Sequence, residues 1–123
     1  MKAIVAFMNV EGKGHPLGGL LKDNFKHCIV ALQTENGWVE IDYRVGIPCV
    51  RVMAPDDFDL NSYYQDAGYI TVETKQAQNI KFSFNLFCGI ISVSNCVGLV
   101  KAILGVKYFS VTPYQLYKRL KTG

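Results

Sequence analysis

The chain has four cysteines, at 28, 49, 88 and 96, and no Cys-x-x-Cys pair among them. It therefore lacks the ligand spacing of a structural zinc site, and most of these cysteines are expected to be small buried hydrophobes. A phosphate-binding loop is missing too, because no Lys-Ser/Thr follows Gly12 and Gly14 at the required spacing. No metal and no cofactor is expected. Long apolar runs are scarce: the longest, Phe82 to Val93, is broken by Ser83, Asn85, Gly89 and Ser92. It falls short of the roughly 18 residues that a membrane span needs. Charge of one sign is also thin. The formal net charge is +3, and the main basic cluster is Lys118, Arg119 and Lys121. That cluster reads as a solvated last helical turn that suits the helix dipole, not as a nucleic-acid patch. At the N-terminus Lys2 precedes only a short apolar stretch before Asn9, Glu11 and Lys13. No signal peptide is expected, and the predicted location is the cytosol, where thiols stay reduced.

What is present is a core-forming composition. Of 123 residues, 50% are apolar, 12% aromatic and 19% charged, which suits one globular domain over 1–123 and excludes a disordered chain. No repeat or linker-like shift divides it. Ala3 to Met8 reads as a buried strand, and the glycine-rich stretch from Asn9 to Leu20 as an irregular loop. Lys26–Gln33 and Trp38–Arg44 flank Thr34-Glu35-Asn36-Gly37, and Asn-Gly predicts a type I′ hairpin with Glu35 opposite Trp38. Strand alternation then places Cys28, Val30, Leu32, Val39, Ile41 and Tyr43 on an apolar face. His27, Ile29, Ala31, Trp38, Glu40 and Asp42 fall on a mixed one.

Pro48–Ala54 is a further strand, and Asp59 is expected to cap a short helix, Leu60–Ala67, ended by Gly68. Its packing stripe would be Leu60, Tyr63, Tyr64 and Ala67. Strands are predicted over Tyr69–Lys75 and within Ile80–Val93. A helix capped by Ser94 or Asn95 follows over Cys96–Leu104, with Val97, Val100, Ile103 and Leu104 at helical spacing, and Thr112-Pro113 opens the last one. The predicted fold class is α+β, an antiparallel sheet with helices on one side.

Cys96 is the cysteine with a chemical reason to be reactive. At the first turn of a helix, unpaired N–H groups and the dipole favour a thiolate, below the free thiol's pKa of about 8.5. The same N–H groups, near the cap Asn95, would stabilise an oxyanion. Against this stands the ordinary role of a cysteine as a packing residue. His27 is the candidate base for that thiol; taken alone it is a half-exposed strand histidine. His15, in a Gly-His-Pro turn, is the weaker partner. Asp42 and Glu40 share the His27 face and either would orient the ring, with Asp42 closer by register.

These stretches together resemble a known family. They are His27-Cys28, Gly37 to Asp42, Asp59 to Tyr64, Asn95 to Val106 and Thr112 to Tyr117. The chain is similar there to circularly permuted papain-like, NlpC-type proteins, small bacterial and phage-encoded cysteine-peptidase-like chains. In that group the histidine strand precedes the cysteine helix. It is similar more broadly to the lecithin–retinol acyltransferase group, which shares the permuted order and an Asn-Cys. The resemblance covers roughly residues 25 to 120. It implies a thiol hydrolase with Cys96 as nucleophile, His27 as base and Asp42 as orienting group, Glu40 being the alternative. It implies a peptide or acyl substrate, with cell-wall peptides fitting best.

Two functions follow as expectations. One is a cysteine hydrolase or acyltransferase working through a thioester on Cys96. The other is a catalytically silent papain-like structural or interaction protein, with a protein partner in a phage particle and a virion location if phage-encoded.

Overall fold

A computed structural model describes residues 2–9, 23–44, 47–75, 96–106 and 112–122. The loop expected from Asn9 to Leu20 lies outside these beyond Asn9, as do His15, Cys88, Asn95 and the strands expected over 80–93. Among the described residues five antiparallel strands form one sheet: β1 (Lys2–Met8), β2 (His27–Thr34), β3 (Gly37–Arg44), β4 (Ile47–Ala54) and β5 (Ile70–Lys75). Their order is β4-β3-β2-β1-β5. Among the described residues three helices accompany it: α1 (Leu60–Asp66), α2 (Cys96–Leu104) and α3 (Pro113–Thr122). The α+β class is as expected.

The helices do not lie on one side. Ala3, Val5, Phe7, Cys28, Val30, Leu32 and Ile41 pack with Cys96, Val97, Val100, Ile103 and Leu104 of α2 and Leu116 of α3. The alternate residues Ile4, Ala6, Ile29, Ala31 and Trp38 pack instead with Leu60 and Tyr64 of α1. The physical reason is the sequence of β1 and β2, which is apolar at both parities. A central strand of that kind needs cover on each face. The face that looks mixed in sequence is a second, smaller core.

Local signals set the helix ends. Asp59 accepts from the backbone N–H of Ser62 at 3.1 Å, and Gly68 leaves α1 at φ +90°. Only Leu60 and Tyr64 of α1 are buried; Tyr63 is 51% exposed, so the expected four-residue stripe narrows to two. Thr112 and Gln115 form a reciprocal cap at α3, each side chain bonding the other's backbone N–H at 3.3 Å. Phe7 and Phe25 meet Tyr117 at ring-centroid distances of 5.5 and 4.9 Å, which docks α3 against the end of β1.

The hairpin turn lies one residue earlier than expected. Gln33 faces Trp38 and Thr34 faces Gly37, so Glu35 and Asn36 make the turn. Neither turn residue has a positive φ, whereas Gly37 does, at +120°. A type I′ turn would need positive φ at Asn36 and the residue beside it. Thr34 decides the matter: its hydroxyl donates to the Gly37 carbonyl at 2.7 Å and accepts from Asn36 N–H at 3.2 Å. The register moves by two, so no side chain changes face.

Candidate active site

His27 is the first residue of β2 and sits at the sheet's end, opposite Met8 of β1. Asn9 and Asn24 hold the chain there. Asn24 adopts φ 67°, and its N–H donates to Asn9 Oδ1 at 2.6 Å. Lys26 N–H then donates to the Met8 carbonyl at 3.1 Å. Continuing the β2–β3 register puts Ile29 opposite Asp42, so His27 and Asp42 are diagonal neighbours on one face. The Nε2 atom of His27 lies 2.6 Å from Asp42 Oδ1, with the side chains 17% and 12% exposed.

Cys96 opens α2, which covers the opposite face of β2. Because His27 ends the strand, its ring also reaches Cys96, and the two side chains are hydrogen-bonded. With Nε2 on Asp42, the ring's other nitrogen, Nδ1, is the one left for the thiol. Cys28, one residue on and pointing the other way, joins from the core side. Both its thiol and its backbone N–H donate to the Cys96 sulfur.

The electrostatics follow from these contacts. The Cys96 pKa is drawn down to about 4, first by the hydrogen bond from the Cys28 thiol. Burial works against this, and the hydrogen bond and charge of His27 then add to it. For His27 burial is the largest influence and disfavours the imidazolium. The hydrogen bond to Asp42 and those with Cys96 outweigh it, and the pKa rises to about 9. Between those limits the pair is thiolate and imidazolium. Burial first, and then the hydrogen bond to Cys96 and the Cys96 charge, push the Cys28 thiol well up, so it stays protonated as a donor.

Glu40, the alternative orienting carboxylate, is elsewhere. It is 3% exposed and accepts from Tyr64 Oη at 2.9 Å and Arg51 Nε at 2.5 Å. Instead of orienting His27, it is the polar anchor of the second core. Burial, then the Glu40 charge, raises the Tyr64 pKa and keeps its hydroxyl a donor. Of the three described cysteines, Cys28 and Cys96 are buried, and Cys49 is exposed on β4. A cavity of about 450 Å³ opens beside α1, lined by Trp38, Phe58 and Leu60 among others, and touches none of Cys96, His27 or Asp42. Among the described residues no cluster of three or more His, Cys, Asp or Glu has metal-binding geometry. Nor is any helix there long and apolar enough to cross a membrane.

Sequence reasoning passed over Cys28 as packing. The signal was available: alternation aims it at the helix face, and the neighbouring His27 and the helix-start Cys96 converge on that end of β2. No family model matches the chain, and neither does any curated protein or solved structure.

Proposed function

We propose that the protein is a cysteine hydrolase of permuted papain-like, NlpC type, cleaving an amide or related acyl bond through a thioester on Cys96. The observation that carries this reading is the chain of contacts Cys96–His27–Asp42, with charges set as thiolate, imidazolium and carboxylate. A histidine strand that precedes the cysteine helix accords with the permuted order.

The chemistry runs in two halves. The Cys96 thiolate attacks the carbonyl carbon, and the first N–H groups of α2 face the developing oxyanion. The tetrahedral intermediate collapses as the His27 imidazolium gives its proton to the leaving amine, and an acyl-thioester remains. His27, now neutral, takes a proton from water; the resulting attack releases the acid and restores the thiolate. Asp42 holds Nε2 throughout and stabilises the charged ring. A peptide amide, such as a cell-wall peptide, is the preferred substrate class.

The test is turnover of peptidoglycan-derived peptides and activated esters, with Cys96→Ser and His27→Ala as controls. Activity that survives Cys96→Ser unchanged contradicts the mechanism. A second reading rests on burial, since Cys96 is only 6% exposed. On that reading the fold is a silent interaction module, such as a phage-particle component. It expects no turnover and no covalent trapping by a cysteine-directed inhibitor.

A further inference from the structure

Acyl transfer requires one thiol at this site, and the structure holds two. Cys28 of β2 and Cys96 of α2 come from facing elements of one core, both are free thiols, and their sulfurs are in hydrogen-bonding contact. Closing them to a disulfide requires an S–S distance of about 2.05 Å, and the two thiols share a hydrogen bond and one buried core. We propose that Cys28 and Cys96 form an oxidisable pair that hydroperoxides convert to an intramolecular disulfide, taking the nucleophile reversibly out of use.

The steps balance. The Cys96 thiolate attacks the terminal peroxide oxygen and the O–O bond breaks. Cys96 becomes a sulfenic acid, and the peroxide is reduced by two electrons to water or an alcohol, taking its proton from the His27 imidazolium. Cys28 sulfur then attacks Cys96 sulfur, the S–OH bond breaks, and the hydroxyl leaves as water with the proton that Cys28 gives up. Burial is the main influence that keeps Cys28 protonated, and oxidation of Cys96 lifts the lesser ones, its hydrogen bond and its negative charge. A small dithiol reductant restores both thiols.

With Cys96 6% and Cys28 1% exposed, the oxidised sulfur sits in the core beside the second thiol. The sulfenic acid is thus directed to Cys28. Exposed Cys49, on the edge strand, serves as an internal control.

The experiment treats reduced protein with hydrogen peroxide, digests it without reductant and maps disulfides by mass spectrometry. A Cys28–Cys96 cross-linked peptide is expected, together with loss of Cys96 alkylation, and dithiothreitol should reverse both. In Cys28→Ala, checked for folding by circular dichroism, the cross-link disappears and dimedone traps Cys96 as the sulfenic acid. The proposal is overturned if wild-type Cys96 stays alkylatable, passes straight to sulfinic acid, or cross-links to Cys49 or Cys88 instead. The readout is mass, not turnover, so a protein without hydrolase activity still answers the question.

Discussion

At the residue scale, the site depends on Cys96 being a thiolate while nearly buried. Desolvation alone would raise its pKa, and the lowering comes from donors: the Cys28 thiol, the His27 ring and the Cys28 backbone N–H. Removing either donor side chain should move the alkylation limb of Cys96 upward from about 4. Iodoacetamide rates against pH for Cys28→Ala and His27→Ala check this, and an unmoved limb in both would sever the link between contact and charge. Asp42 acts one step back. On the hydrolase reading, Asp42→Asn keeps the shape but withdraws the charge that sustains the imidazolium, so turnover should fall about 100-fold or more. The loss should appear in kcat more than in KM. Glu40 separates the two carboxylates by role. Glu40→Gln weakens the pair with Arg51 and the bond from Tyr64, and should lower the melting temperature without altering Cys96 alkylation.

At the element scale, two glycines discriminate between backbone strain and collision. Gly68 ends α1 at φ +90° with nothing within 4 Å of an added Cβ. Gly68→Ala should therefore cost only the strain, about 1 kcal/mol. Gly37 combines φ +120° with the Ala54 carbonyl oxygen 2.5 Å from an added Cβ. It lies by the register shift between Trp38 and Val39 that lets β4 approach so closely. Gly37→Ala should cost clearly more than Gly68→Ala in denaturant unfolding. Equal losses would show that the close approach is not a real constraint. The elements themselves were legible where short-range chemistry decides them: the Asp59 and Thr112 caps, Gly68, and the stripe of Val97, Val100, Ile103 and Leu104. The hairpin turn was misjudged because a threonine hydroxyl outcompeted the Asn-Gly preference, a side-chain effect that dipeptide statistics do not contain.

At the scale of the whole molecule, strand parity foretold which residues share a face but not what covers it. Ile29 and Ala31 beside Glu40 and Asp42 look like a half-solvated surface in sequence. Only the arrival of Trp38, Leu60 and Tyr64 makes it a core. The same limit applied to the site. Cys96, His27 and Asp42 were each recognisable from position and residue type, whereas Cys28 gains its role only when α2 is laid across β2. If the molecule is catalytic, its pH dependence follows from the pair as a unit. Activity needs the thiolate, present above about 4, and the imidazolium, present below about 9. The profile of kcat/KM should be a broad plateau falling away at both limits.

The most direct test of the central claim is the rate of iodoacetamide alkylation at each cysteine, read by mass spectrometry across pH 4 to 9. The thiolate–imidazolium pair predicts that Cys96 reacts fastest at pH 6, ahead of the exposed Cys49, with little further gain toward pH 8. A Cys96 rate that climbs steadily to alkaline pH, or that trails Cys49 at pH 6, would contradict it.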